Sequence, residues 1–244
     1  MNFKTKRLAH LFAPDGKCLV VAMDHAGFVD KPLAGLERPA ETIRAVARAG
    51  ADAFLLTLGS AMHCADALGR AGVWLSVDAE PPFLDHIVAT ALRIGADGIK
   101  CLVYPFWDER PNSVANFAAL ASACSQWGMP LMAEVIPGGF LAGAEMRAPK
   151  KIAAGARVAM EAGADVIKTF YTGDADSFRQ VIAYCAIPII VLGGERAPHD
   201  DQVLQSVRGA LDAGARGVAI GRNIWQHPEP AKITAALATL IHRA

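Results

Sequence analysis

The sequence predicts an α/β fold, a single (β/α)8 TIM barrel that takes up residues 1–244. Three observations predict it. Short apolar runs alternate with longer amphipathic stretches, and the alternation occurs eight times. The apolar runs are nearly unbroken, as expected of parallel strands that are buried on both faces. No shift in composition marks a second domain, and a chain of 244 residues suits one barrel.

The eight predicted strands share a run of apolar, largely β-branched residues between turn-forming segments. They cover residues 18–23, 53–56, 73–77, 98–103, 130–135, 166–170, 188–192 and 217–220. An open, doubly wound sheet is the alternative arrangement of the same alternating units.

The stretches between the strands carry apolar residues at helical spacing. Predicted helices cover residues 41–48, 83–92 and 201–211, and a further helix runs from a cap at Asn112 or Ser113 to Trp127. A weak repeat, Gly-Ala-Asp, ends a helix and enters a strand before the second, fourth and sixth strands. Its eighth-strand counterpart is Gly-Ala-Arg at residues 214–216, and in each copy the glycine is expected to form the helix cap.

Composition excludes several classes of protein. Hydrophobic residues make up 53% of the chain, which is enough for a large core. The 24 basic and 24 acidic residues leave no net charge, so neither nucleic-acid binding nor membrane binding is expected. The five scattered cysteines form no metal-binding pair and indicate reduced thiols in a cytoplasmic protein.

Two lysines lie inside apolar strands, where a charged side chain is costly. They are Lys100 in the fourth strand and Lys168 in the sixth. Alternate strands fill the same layer of a barrel, so the two side chains are expected to approach each other and to lower each other's pKa. A lysine that loses its proton is a nucleophile for carbonyl carbon. A structural ion pair with a neighbouring strand is the alternative for Lys168.

Further polar residues lie at or near the carboxyl ends of the strands, where barrel enzymes have their active sites. Asp24 either accepts a proton from a substrate hydroxyl or caps a turn, and Glu134 either carries a proton or neutralises a lysine. For His25, a packing or hydrogen-bonding role is favoured.

A phosphate site is predicted after the last two strands, because glycines let backbone N–H groups approach an anion. Its residues are Gly193, Gly194, Gly221 and Arg222. Glu195 is discordant, because a carboxylate next to a phosphate needs an explanation.

Three segments, residues 23–25, 163–174 and 217–226, resemble the Schiff-base class I aldolases. That superfamily includes archaeal-type fructose-bisphosphate aldolase, tagatose-bisphosphate aldolase and deoxyribose-phosphate aldolase. The resemblance implies that Lys168 forms the imine, that Asp24 transfers a proton and that the glycine loops with Arg222 hold a substrate phosphate. It also implies a homo-oligomer and a reaction that needs no metal and no other cofactor.

The sequence departs from the archaeal pattern after the fifth strand. Those enzymes have Tyr-Pro-Arg-Gly there, with the tyrosine as acid/base, whereas this chain has Ile-Pro-Gly-Gly at residues 136–139. Tyr104 is a possible stand-in for that tyrosine. Lys100 and Glu134 are instead similar to the tagatose-bisphosphate aldolase pattern, in which a strand-four lysine and a strand-five glutamate lie beside the imine lysine.

The expected function is that of a lyase, an aldehyde-lyase that cleaves or forms a carbon–carbon bond of a phosphorylated ketose. Three alternatives stay open. One is a related aldol-type or acyl transfer, as in the enzymes that make aminodideoxyheptulosonate. The second is a non-catalytic barrel that binds a sugar phosphate, and the third is a metal-dependent barrel, which is disfavoured because no tight cluster of ligand residues is visible.

Overall fold

A computed structural model describes residues 4–27, 29, 32–78 and 84–243, apart from the side chain of Asp85. Eight parallel strands form a closed barrel in which each strand pairs with the next and β8 pairs with β1, which confirms the predicted fold class. The strands are β1 Cys18–Ala22, β2 Ala53–Leu56, β3 Gly72–Val77, β4 Gly98–Val103, β5 Leu131–Val135, β6 Val166–Thr169, β7 Ile189–Leu192 and β8 Gly217–Ile220.

The predicted strands therefore agree with the observed ones to within one residue at either end. The prediction began two strands one residue early, at Pro130 and Pro188. Each proline lacks an N–H group and joins its neighbour only through its carbonyl oxygen, which accepts from Ile99 and Ile167 respectively.

Helices surround the barrel. They are α1 Lys4–Leu11, α2 Pro39–Arg48, α3 Leu58–His63, α4 Leu84–Arg93, α5 Ser113–Gln126, α6 Pro149–Glu161, α7 Ala175–Ala183, α8 Asp200–Asp212, α9 Arg222–Trp225 and α10 Pro230–His242. The first residue of the helix predicted over 83–92, Phe83, lies outside the described residues. In the part of the chain that the structure describes, no helix is both long and apolar enough to cross a membrane.

The amino end of the barrel is closed by α1, which the sequence did not predict. Its last residue, Leu11, is fully buried and packs with Trp74 of β3 and Met132 of β5 inside the barrel. The indole of Trp74 lies over Gly98 of β4, where a Cβ atom would be only 2.4 Å from the ring. This apolar plug leaves the carboxyl end of the barrel as the place for polar side chains.

The Gly-Ala-Asp repeat has a structural role at the amino end. Its glycines have positive φ, which confirms the predicted helix caps. Each aspartate accepts a hydrogen bond from a backbone N–H of an odd-numbered strand, from Leu19 to Asp52 at 2.6 Å, from Val73 to Asp97 at 3.0 Å and from Leu131 to Asp165 at 2.8 Å. The repeat therefore ties neighbouring strands together at the end remote from the site.

Candidate active site

Four charged side chains form a continuous row inside the barrel, called here the buried ion chain. Lys100 Nζ lies 2.8 Å from Asp24 Oδ2 and 2.9 Å from Glu134 Oε2. The other oxygen of that glutamate, Oε1, lies 2.6 Å from Lys168 Nζ. Ser76 of β3 extends the row, because its hydroxyl donates to Asp24 Oδ2 at 2.8 Å. The structure thus brings together four of the five predicted catalytic residues in direct contact.

Strand register creates this row. Lys100 of β4 is level with Ser76 of β3, and Glu134 of β5 is level with Lys168 of β6. Side chains alternate between the two faces of a strand, so Glu134 points inward one layer above Met132 of the apolar plug. The ion chain therefore lies between the plug and the mouth of the barrel.

The four side chains are almost fully removed from water. Their exposed fractions are 1% for Asp24, 0% for Lys100, 6% for Glu134 and 4% for Lys168. Two carboxylates and two ammonium groups sum to no net charge, which is the condition under which such groups tolerate burial.

The charges set the pKa values of both carboxyl groups. Burial alone would raise the pKa of Asp24 and of Glu134, but Lys100 and Lys168 outweigh burial and hold both pKa values below their ordinary range. For Lys100, burial is outweighed by Glu134 and Asp24, and its pKa is raised. The expectation that the two lysines lower each other's pKa is therefore wrong for Lys100, because Glu134 lies between the two ammonium groups.

His25 lies beside the ion chain and packs against Trp225. Its Nδ1 lies 3.9 Å from Asp24 Oδ1, and its ring meets the ring of Trp225 edge-on at 5.4 Å between centroids. Trp225 is fixed by donating from Nε1 to the carbonyl of Ala22 at 3.0 Å. Burial, helped by Lys168 and Arg222, outweighs the opposing effect of Asp24 and lowers the pKa of His25, so the imidazole is neutral at neutral pH.

Tyr104, the fifth predicted catalytic residue, stands at the mouth above β4. Its ring packs edge-on against Trp107 at 4.9 Å and against Phe140 at 6.2 Å. Burial, and then the carboxylate of Asp78, raises the pKa of Tyr104 to about 12, and Glu134 contributes to the same shift. The phenol is therefore protonated at neutral pH.

The segment Ile136-Pro-Gly-Gly139, which replaces Tyr-Pro-Arg-Gly, lies beside this wall. Ile136 is fully buried and offers no polar group. Gly139 lies against the indole of Trp107, where a Cβ atom would be 2.9 Å from the ring. Gly139, which this chain shares with the Tyr-Pro-Arg-Gly motif, thus leaves room for Trp107, which packs against Tyr104.

Arg147, which the sequence analysis did not single out, fixes the loop that follows β5. Its guanidinium donates to the carbonyls of Pro137 at 2.7 Å and Gly139 at 2.6 Å. It also lies 4.2 Å from the ring centroid of Phe170, two residues after the buried Lys168. These contacts join the loops that follow β5 and β6.

A second polar corner lies after β7 and β8, where the glycines were predicted to bind phosphate. Asn223, which was not predicted, holds it: its Nδ2 donates to the carbonyls of Gly193 at 2.8 Å and Glu195 at 2.9 Å. Its Oδ1 accepts from the N–H of Ala197 at 2.7 Å. Asn223 lies three residues after β8, at the start of α9, and its side chain is buried.

Gly221 and Gly194 are favoured at this corner for different structural reasons. Gly221 has no space for a side chain, because a Cβ atom would lie 2.6 Å from the carbonyl oxygen of Ala22 and from the His25 ring. Gly194 has a φ of +64° and faces open space. Its backbone is therefore accessible to a ligand.

The discordant Glu195 makes an ion pair with Arg222. The guanidinium is 29% exposed and the carboxylate 87% exposed. The salt bridge is therefore open to water, and an anionic ligand can compete for the arginine because an exposed pair is weak.

The described residues contain no group of three or more histidine, cysteine, aspartate or glutamate side chains placed to hold a metal ion. All five cysteines are buried free thiols.

Comparison with known proteins gives consistent results. The model of the DeoC/LacD family aldolases matches residues 18–227. The 2-amino-3,7-dideoxy-D-threo-hept-6-ulosonate synthase of Halobacterium salinarum is 34% identical, over 98% of this chain and 91% of its own. The 2-amino-4,5-dihydroxy-6-oxo-7-(phosphonooxy)heptanoate synthase of Streptomyces griseus is 31% identical, over 100% of this chain and 90% of its own. A solved Schiff-base-forming fructose-1,6-bisphosphate aldolase superposes with a TM-score of 0.83 at 29% identity, covering 98% of this chain and 100% of that one.

Proposed function

The chain belongs to the DeoC/LacD family of class I aldolases, and we propose that it makes and breaks a carbon–carbon bond of a phosphorylated ketose through an imine on Lys168. One observation carries this proposal: the ammonium nitrogen of Lys168 lies 2.6 Å from Oε1 of Glu134, inside the barrel and next to a second lysine. This contact gives the lysine a proton acceptor within direct reach.

In the first step, Lys168 Nζ passes a proton to Glu134 and attacks the ketone carbon of the substrate. Glu134 returns that proton to the hydroxyl of the carbinolamine, water leaves, and a protonated imine remains on the lysine. The iminium takes the place of the ammonium beside Glu134, so the charges of the ion chain still sum to zero. The pocket is therefore arranged to stabilise a cation at this nitrogen before the substrate arrives.

In the second step, the bond between the α and β carbons of the iminium breaks. Its electron pair forms the enamine, the β-hydroxyl loses its proton and an aldehyde departs. The iminium charge disappears at that moment. Lys100 still holds the Glu134 pKa low, but the second cation that lowers it is lost, so the carboxylate becomes a stronger base. Glu134 is therefore our candidate for the base that takes the hydroxyl proton.

The remaining steps return the enzyme to its starting state. A proton is delivered to the enamine carbon, and water hydrolyses the imine to release a phosphorylated ketone and free Lys168. Tyr104, protonated at neutral pH, is the candidate for a second proton donor at the mouth. Asp24 holds Lys100 in place and accepts from Ser76, which keeps the ion chain fixed throughout.

The substrate phosphate is assigned to the corner formed by Gly193, Gly194, Gly221 and Arg222. Accessible backbone at Gly194 and the water-exposed pair of Arg222 with Glu195 support this assignment. Binding of a phosphate there breaks or loosens that pair.

A second candidate is an aldol-type transfer that runs toward synthesis. The names of two relatives support it, since both are called synthases of amino-substituted seven-carbon products. The same imine on Lys168 serves both directions, so the two candidates differ in their substrates rather than in the lysine.

The proposal is tested with a panel of phosphorylated ketoses, with EDTA present, and with product analysis by mass spectrometry. We expect equal amounts of an aldehyde and a phosphorylated ketone from at least one ketose, and none from Lys168→Ala. A transfer enzyme yields these products only when an acceptor aldehyde or a different donor is supplied. Binding of a sugar phosphate without any product would identify a sensor and contradict the proposal.

A further inference from the structure

A cavity of about 530 Å³ lies at the amino end of the barrel, away from the mouth. Its lining includes residues 51, 52 and 71, which directly precede β2 and β3. Arg44 and Arg48 line it from the last turns of α2, and Arg70 lines it from the loop that leads into β3. The volume is that of a small-molecule site, and the reaction proposed above does not use this cavity.

The three arginines of the cavity are exposed and have their donors free. Among the described residues, none of the three guanidinium groups makes a hydrogen bond or an ion pair. Other exposed arginines behave differently, since Arg157 and Arg179 each pair with a carboxylate one turn away on the same helix. The guanidinium groups of the cavity are therefore available to a ligand from solution.

Positive charge dominates the lining. The two carboxylates there are Asp52 and Asp66. Asp52 is already engaged, because it accepts from the N–H of Leu19 at 2.6 Å and its Oδ2 lies 3.0 Å from Nε2 of His242. Asp66 is exposed and forms no ion pair within the part of the chain that the structure describes. An anion that enters the cavity therefore meets three unpaired cations and one unpaired carboxylate.

The two arginines of α2 lie on the same face of the helix, four residues apart. Like charges at this spacing repel each other, so an anion bound between them relieves a repulsion. Arg44 also lies near Cys64, which precedes the short helix Ala65–Ala67: burial raises the pKa of the Cys64 thiol, and the charge of Arg44 opposes that shift. The guanidinium of Arg44 is therefore close to the turn on the other side of the cavity.

The backbone of that turn supplies further donors. Leu68 has a φ of −70° and a ψ of −28°, and Gly69, which follows it, has a φ of +63°. Successive N–H groups in this right-handed then left-handed arrangement form a concave site for an anion. In the described structure the N–H groups of Gly69 and Arg70 donate to no acceptor, and a Cβ atom at Gly69 would meet nothing within 4 Å.

We propose that this cavity binds a dianionic phosphate group, either free phosphate or the phosphate of a small molecule, at a site separate from the phosphate corner after β7 and β8. Arg70 and the N–H of Gly69 hold the phosphate from the loop, and Arg44 and Arg48 hold it from α2. A planar guanidinium pairs with phosphate through two parallel hydrogen bonds. Leu68 gives the cavity an apolar wall for a carbon skeleton.

Equilibrium dialysis with radiolabelled inorganic phosphate tests the site, at a constant low ionic strength because exposed charges are screened by salt. The double variant Arg48→Gln with Arg70→Gln is expected to bind phosphate at this site at least about tenfold more weakly, since each hydrogen bond to a charged group contributes about 1.5–3 kcal/mol. Equal binding by the original protein and the double variant would overturn the proposal.

Arg93→Gln is the matched control, because Arg93, like Arg48, is an exposed arginine at the last residue of its helix. This variant is expected to bind phosphate as the original protein does. A loss of binding in Arg93→Gln as large as in the double variant would show that phosphate responds only to the overall surface charge, and would contradict a site in the cavity.

Arg222→Gln separates the cavity from the phosphate corner. We expect this variant to keep the phosphate bound in the cavity, whereas complete loss of phosphate binding would place the only site at the corner and overturn the proposal. The double variant is expected to cleave a phosphorylated ketose at the original rate, because the cavity lies at the other end of the barrel.

Competition in the Arg222→Gln background tells apart the two sources of the phosphate group. Displacement of labelled phosphate by ribose 5-phosphate at a lower concentration than by unlabelled phosphate supports a phosphorylated small molecule as the occupant. The reverse order supports free phosphate. Displacement by an equal concentration of chloride would overturn the site, because a site built for a phosphate dianion does not prefer a halide.

Discussion

Lys168 Nζ lies 2.6 Å from Oε1 of Glu134, while the second oxygen of the same carboxylate is used by another lysine. The carboxylate of Glu134 therefore pairs with two lysines, and the two lysines differ in their proposed roles. Lys100 has its pKa raised and stays charged, so it fixes the carboxylate in place. In the proposed mechanism, Lys168 is the group that exchanges its proton with Glu134 and forms the covalent bond with the substrate.

Glu134→Gln is expected to lower the rate of carbon–carbon cleavage by roughly 10²- to 10⁴-fold, the usual range for a lost acid–base group. The amide cannot take the hydroxyl proton, although it keeps the size of the side chain. Turnover of a phosphorylated ketose measures the effect, with Glu161→Gln as the control for loss of a carboxylate. Activity within twofold of the original enzyme would show that another group is the base.

Lys100→Met is expected to lower the free energy of unfolding by roughly 3–5 kcal/mol. In this variant the buried carboxylates of Asp24 and Glu134 share a single cation of the ion chain, Lys168. Methionine fills a similar volume, so lost charge rather than a cavity dominates. Urea unfolding at neutral pH measures the change. A difference below about 0.5 kcal/mol, the size of an ordinary surface substitution, would show that Lys100 is dispensable for the charge balance.

Acid is expected to destabilise the protein through the two buried carboxyl groups. Their pKa values in the folded state lie below the ordinary 3.8 of Asp24 and 4.5 of Glu134. A lowered pKa means that the stabilisation is present above the unfolded-state pKa and is lost as the pH falls through the folded-state value.

Urea unfolding between about pH 6 and pH 2 tests this relation, with Asp24→Asn as the comparison. The variant should show a shallower loss of stability with falling pH, by up to the equivalent of one proton. Identical slopes for the two proteins would mean that Asp24 does not ionise with a lowered pKa.

Tyr104→Phe is expected to reduce turnover by about 10²-fold if the phenol donates a proton in the reaction. The fold should be unaffected, because the ring keeps its contacts with Trp107 and Phe140. Trp107→Leu is expected to give a smaller loss, since the phenol remains but is less well positioned. A full rate in Tyr104→Phe would remove the tyrosine from the mechanism.

Much of the fold could be predicted because parallel barrel strands are apolar along their whole length, and eight such runs are visible in the sequence. The helix α1 was missed because it is short and contributes only Leu11 to the interior. The cap of α5 was predicted at Asn112 or Ser113. Asn112 occupies the N-cap position, but its side chain makes no capping bond, and the Ser113 hydroxyl accepts from the N–H of Tyr104.

The residues of the site could be predicted from the sequence, but the order in which they contact one another along the ion chain could not. A lysine in an apolar strand is conspicuous, which is why Lys100 and Lys168 could be identified. Strand register decides that Glu134 lies between them, and register depends on hydrogen bonds between strands that the sequence does not display. Arg147 and Asn223 were missed because their roles arise from carbonyl groups that folding brings near them.

Borohydride reduction during turnover of a phosphorylated ketose, followed by mass spectrometry of the peptides, is the most direct test of an imine on Lys168. We expect Lys168 to gain the mass of the reduced substrate fragment and Lys100, on the other side of Glu134, to gain none. Turnover with Lys168 unmodified, or with the added mass on Lys100, would contradict it.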